Sequence, residues 1–114
     1  MPERDWRVRV EDILEAIDRI NRYTEGMSEA RFRENEMVQD ALIRNFAVIG
    51  EAVRHVPEDI QESYPEVPWS RIKGIRNVLV HEYFGVDVGI VWDTIQEDLP
   101  ELTEKLKQML DNEI

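Results

Sequence analysis

The side chains best suited to chemistry in this 114-residue chain crowd into one short stretch, KGIRNVLVHEY: Lys73, Arg76, Asn77, His81 and Tyr83. His81 is one of only two histidines. On an ideal helix, at about 100° per residue, Lys73 lies about 60°, Asn77 about 100° and His81 about 140° from Arg76, with Tyr83 about 20° to its other side. Ile72, Ile75, Val78 and Leu79 occupy a separate arc between about 200° and 320°, the face expected to meet a core. Arg71 falls outside the polar arc. Val80 is the apolar exception within it, which predicts that the arc faces something half-buried, such as the same helix of a second subunit.

A cation, an amide, an imidazole and a phenol on one arc suit phosphodiester cleavage in RNA. An imidazole, with an ordinary pKa of about 6.5, can take the proton of a 2′-hydroxyl or return one to the leaving oxygen, the role expected of His81. Arg76 can hold two phosphate oxygens at once and stabilise the charge that builds between them. Asn77 and Lys73 are the expected supporting residues. Such a reaction needs no metal and no other cofactor. Acid plus base calls for two histidines where one arc offers one, and a two-fold interface would supply the second. The same residue types also occur as ordinary surface and core-edge side chains, a tyrosine at a helix edge with its hydroxyl in water being common. By residue type and spacing alone, both readings stay open.

The remaining histidine, His55, sits just before Pro57, where it is expected to satisfy terminal carbonyls and the helix dipole. Glu51 and His55 share a face, but a di-iron bundle site requires Glu-x-x-His twice with further glutamates, so no metal site is expected. The absence of cysteine excludes disulfides and thiolate metal sites. The formal charge of −11, from 14 basic and 25 acidic residues, argues against broad attraction to nucleic acid or anionic lipid. Its distribution is uneven. From Val67 to His81 there are cations (Arg71, Lys73, Arg76) and no acid, whereas the residues after His81 are strongly acidic. This places a local positive site on an acidic body, a pattern compatible with a polyanion handled at one place, with a partner that docks by charge, or with mixed charge on solvated helices. No apolar run approaches the roughly 20 residues of a membrane span, and the start lacks signal-peptide character, so a cytoplasmic protein is expected.

The elements that must position these residues are helical. Trp6, Val10, Ile13, Leu14, Ile17 and Ile20 predict a helix from about Arg4 to Thr24, stopped near Gly26. Ser28 reads as the N-cap of one long second helix, apolar through Val38, Leu42, Ile49 and Val53 and ended by Pro57. Its arc is wide, with Ile43 and Phe46 outside the main stripe, which suggests contacts on more than one side and a dimer. PEDIQESY predicts a short acidic helical turn, PEVPW an extended elbow, and the motif helix then begins near Trp69 or Ser70 and runs to about Tyr83, broken by Gly85. A further helix is expected from Asp87 to Asp98. Asp98 and Glu101 have capping-box spacing around Pro100, predicting a kink or a fresh helix to about Leu110. The whole is a single-domain, all-α, antiparallel bundle of four to five helices spanning residues 1–114.

Arg76, His81 and Tyr83 match the R-x-x-x-x-H-x-Y motif of HEPN-domain proteins, and the chain resembles the HepT group of toxins. YTEGMSEARF, IGEAVRHVP, PEVPWSRIKGIRNVLVHEYFGVD and VWDTIQEDLPEL all look like segments of that group, in the same order, so the resemblance covers nearly the whole chain. It implies a helical bundle that dimerises through its motif helices, forming a shared cleft. It also implies a metal-independent endoribonuclease in which Arg76 and His81 are the catalytic residues and Asn77 matches the polar position after the arginine. The implied partner is a minimal nucleotidyltransferase antitoxin, in a type II or type VII-like toxin–antitoxin pair, that neutralises the toxin and transfers AMP to Tyr83. The implied substrate is RNA, such as tRNA or mRNA. A second function class uses the same arc differently: a non-catalytic module that docks a nucleotide or the nucleotidyltransferase. A purely structural helical dimer is the third.

Overall fold

The apolar positions Val10, Ile13, Ile17 and Ile20 recur every three or four residues, and helix α1 (Pro2–Thr24) buries all of them to 1% exposure or less in a computed structural model that describes residues 2–74 and 88–112. Its end lies where the sequence predicts. Thr24 donates its hydroxyl to the Ile20 carbonyl, and Gly26, at φ +77°, takes the left-handed conformation that turns the chain away.

Ser28 caps the next helix as expected, its Oγ accepting the Arg31 N–H at 3.2 Å. The single long helix predicted from there does not form. Instead α2 (Glu29–Glu34) stops at Asn35, and α3 (Glu36–Arg54) begins immediately after it. Asn35 serves both helices: its backbone N–H reaches the Phe32 carbonyl, and its Oδ1 accepts the Val38 N–H at 3.0 Å. A short amide side chain competes with helical backbone in this way, and here it is reinforced by Gln39, whose amide donates to the Phe32 and Arg33 carbonyls. The break re-aims α2 so that Phe32 enters the core. Replacing Asn35 by alanine leaves the Val38 N–H uncapped and is expected to cost about 1 kcal/mol, read as a lowered urea midpoint with unchanged slope. A wild-type midpoint would show that the break holds without its cap.

α3 packs along α1 through Leu42, Phe46, Ile49 and Val53. Phe46, expected outside the main stripe, is 2% exposed, while Ile43 remains half-buried. The polar exception in this contact is Asn45, buried but satisfied: it donates to the Ala41 carbonyl at 2.8 Å and accepts from Arg19 at 2.9 Å. α4 (Glu58–Ser63) is the short acidic turn expected. The elbow after it is tighter than the extended form predicted, because the Val67 N–H closes a turn onto the Tyr64 carbonyl at 3.1 Å. Trp69 locks the turn, its indole N–H donating to the Gln61 and Tyr64 carbonyls. Helix α5 then starts at Trp69, as predicted, and is described through residue 74.

α6 (Val88–Asp93) continues without interruption through a π-helical turn (Thr94–Asp98) into α7 (Leu99–Asn112). The predicted capping box is therefore absent: Asp98 pairs with Arg71 at 3.3 Å and Glu101 with Lys105 at 2.9 Å. The π turn explains how the helix survives Pro100. Proline lacks an N–H and its ring crowds the carbonyl four residues back, and the wider turn, with the Leu99 N–H bonded to Thr94 five residues before it, makes room. Leu99, Leu102, Leu106 and Met109 face the core, where α7 packs on α1. Arg7, near the start of α1, donates to the Leu110 carbonyl near the end of α7, so the two helices run antiparallel.

The chain is all-α, with no strand among the described residues. No helix among them is long and apolar enough to cross a membrane.

Candidate functional site

Of the five residues singled out by type and spacing, Lys73 lies within the described structure, while Arg76, Asn77, His81 and Tyr83 lie outside the described residues, as does the predicted helix end at Tyr83 and Gly85. What is described is the platform from which that segment departs. α5 is fixed on one side by Trp69, 7% exposed, and Ile72, 4% exposed, both in the core. Across the helix, Arg71 reaches 27 residues along the sequence to Asp98 at 3.3 Å. That pair joins the first turn of α5 to the π turn before α7.

Arg71 and Lys73 part company as the helical wheel requires. Arg71 lies over a small crevice of ≈ 100 Å³ with Asp98, Glu101 and Lys105. The hydrogen bond and charge of Lys105, with a smaller contribution from Arg71, hold the Glu101 carboxyl below the usual carboxylate range. Lys73 lines a separate, open groove of ≈ 610 Å³ with Arg54, Val56, Pro57, Glu58 and Gln61. Its ammonium has no ion-pair or hydrogen-bond partner among the described residues.

The floor of this groove is the end of α3. The His55 backbone N–H meets the Ala52 and Val53 carbonyls, and Gln61 folds back from α4 to donate to the Val53 and Val56 carbonyls, at 3.4 and 2.9 Å. The His55 ring does not take the terminal carbonyls expected of it. It meets Glu51 at 3.3 Å, with both side chains about half exposed, because the i, i+4 spacing puts them on one face while backbone and Gln61 already serve the helix end. Among the described residues no group of three or more His, Asp or Glu side chains could hold a metal ion.

Arg54 is the groove residue that reading by sequence missed. Nothing local marks it, since its approach to Lys73 depends on the turn at 64–67 that brings α5 back past the end of α3.

A family model described as "Ribonuclease HepT-like" matches residues 13–109 of the chain. The chain is 39% identical over 110 residues to "Putative RNase MJ1216" of Methanocaldococcus jannaschii, covering 96% of this chain and 91% of that protein. It is 37% identical over 107 residues to "Probable ribonuclease HepT" of Thermococcus cleftensis, covering 94% and 97% respectively. It is 36% identical over 107 residues to "Putative RNase TTE0752" of Caldanaerobacter subterraneus, covering 94% and 96%. No solved structure matches the chain.

Proposed function

We propose that this chain, which belongs to the HepT-like ribonuclease family, is itself an endoribonuclease that cuts RNA without a metal ion. The observation that carries this reading is the presence of Arg76, His81 and Tyr83 at the R-x-x-x-x-H-x-Y spacing within the matched span.

In the proposed reaction His81 withdraws the proton of a 2′-hydroxyl, whose oxygen attacks the adjacent phosphorus. The P–O bond to the 5′-oxygen breaks, and that oxygen leaves with a proton from the imidazolium of a second subunit's motif helix. Arg76 holds two non-bridging oxygens as their charge grows, and Asn77 orients the arginine or the imidazole. The active unit is a homodimer, or a larger assembly built on it, acting in the cytoplasm. The cognate minimal nucleotidyltransferase silences it: the Tyr83 phenolic oxygen attacks the α-phosphorus of ATP, pyrophosphate leaves, and the AMP phosphate then occupies the place of the RNA phosphate beside Arg76.

The test is cleavage of total tRNA and short RNA oligomers in EDTA, with the intact mass of the protein determined on the same sample. Cleavage by unmodified protein supports the ribonuclease; a folded, unmodified protein that leaves every RNA intact would reduce the site to a binding module. With the nucleotidyltransferase and ATP present, mass is expected to rise by AMP units in wild type and not in Tyr83→Phe, with cleavage falling in step.

A further inference from the structure

The groove beside Lys73 holds a pair of cations, of which Arg54 has no part in the cleavage chemistry. Arg54, from the last turn of α3, and Lys73, from α5, line the same open groove of ≈ 610 Å³, and Glu58 is the single carboxylate among its described lining residues. In a chain of net charge −11 such a surface is unusual. Arg54 is held lightly, by one contact to Glu51 at 3.4 Å between side chains 62% and 51% exposed. An ion pair of that length and exposure restrains a guanidinium weakly, and Glu51 is shared with His55. The remaining guanidinium donors of Arg54, like the Lys73 ammonium, have no partner among the described residues.

Carbonyls at the end of α3 would ordinarily repel an anion here. Three of them are taken: the His55 N–H, the Val56 N–H and the Gln61 amide engage those of Ala52, Val53 and Val56. What remains facing solvent is two cations on separate elements and the one carboxylate of Glu58. The groove is open rather than enclosing, which suits an extended polyanion passing through it better than a small ligand sealed inside. Lys73 also precedes Arg76 by three residues in the sequence, so the groove adjoins the chain just before the motif.

We infer that Arg54 and Lys73 form a subsite for backbone phosphates of single-stranded RNA, flanking the phosphodiester that is cut. This rests on the ribonuclease reading above for the identity of the polyanion. Binding here is electrostatic and independent of base sequence.

The experiment measures binding of a fluorescent 2′-O-methyl oligouridylate, which lacks the attacking hydroxyl, across a salt series. For the Arg54→Gln, Lys73→Gln double variant the slope of log K against log[salt] is expected to flatten by about 1.4, from two single-strand phosphate contacts at about 0.7 each. A charge-matched control, Arg22→Gln with Arg31→Gln on α1 and α2, is expected to keep the wild-type slope, and urea midpoints establish that each variant is folded. An unchanged slope in the groove variant, an equal flattening in the control, or no binding by wild type each overturns the subsite. Cleavage of the matching 2′-hydroxyl oligomer is scored separately. No cleavage with a flattened slope sinks the ribonuclease and leaves a strand-binding groove; cleavage with an unchanged slope sinks the subsite alone.

Discussion

Replacing His81 by alanine is expected to lower RNA cleavage about 10²–10⁴-fold, equally with and without EDTA. Among the residue types of the polar arc, imidazole is the group that ordinarily exchanges a proton near neutral pH, whereas guanidinium and ammonium groups ordinarily stay charged there. Loss should therefore fall on kcat, with KM held by the cations that bind phosphate. In a dimer that shares the cleft, one substitution removes acid and base together, which places the effect toward the upper end of the range. The pH profile sharpens the test. Wild type should show a bell, one limb requiring a neutral imidazole and the other a protonated one, and the residual activity of His81→Ala should lose both limbs. Arg76→Lys keeps the charge but loses the two-pronged grip on phosphate, so it should reduce the rate while leaving the bell in place. If His81→Ala cleaves at the wild-type rate, the proton transfers lie elsewhere and the assignment of the arc is wrong. Growth arrest on expression should follow the same order: wild type arrests, His81→Ala does not.

Features of the fold that depend on local chemistry were readable directly from the residues. The α1 stripe, the Gly26 stop, the Ser28 cap and the Trp69 start each need only a few neighbouring residues, and each is present. The features that escaped are decided by partners far along the chain. Asn35 sits inside an apolar pattern that runs on through Val38 and Leu42, so periodicity alone carries a helix straight through it. The break becomes favourable because Phe32 gains a core position and Gln39 covers the carbonyls exposed by the break. Asp98 and Glu101 around Pro100 have the look of a helix start. Arg71 and Lys105 instead engage the two carboxylates, and a π turn accommodates the proline within one continuous helix. Arg54 and Lys73 share a groove through the path of the elbow between their helices, which no short-range pattern encodes. The motif is a different case: Arg76, Asn77, His81 and Tyr83 lie outside the described residues, and their reading rests on residue types at fixed spacing.

Phe32→Ala is expected to destabilise the protein by about 3–5 kcal/mol, the range for truncating a buried aromatic side chain. Against a typical domain stability of about 5–15 kcal/mol this is a large fraction. The reason is the size of the element it anchors. α2 has only six residues, far too few to be helical alone, and Phe32, 1% exposed, is its one buried side chain. The ring lies 5.3 Å from that of Trp92 at a 39° tilt, which joins α2 to α6. Removing it leaves a cavity at that junction, with caps at Ser28 and Asn35 too weak, at about 1 kcal/mol each, to hold the turn in place. Phe32→Leu keeps most of the apolar volume and should cost far less, and a double-mutant cycle with Trp92→Leu should recover a ring–ring coupling of about 0.5–1.5 kcal/mol. Urea denaturation measures all three. A loss below about 1 kcal/mol for Phe32→Ala would mean that α2 is an ornament on the α1, α3 and α7 core. The expected larger loss has a functional counterpart, because α6 leads through the π turn to Asp98, and Asp98 holds Arg71 at the start of α5. Loosening α2 therefore weakens one of the ties on α5, whose Trp69 and Ile72 stay in the core, and cleavage by Phe32→Ala should fail at temperatures that track its lowered melting midpoint rather than at that of wild type.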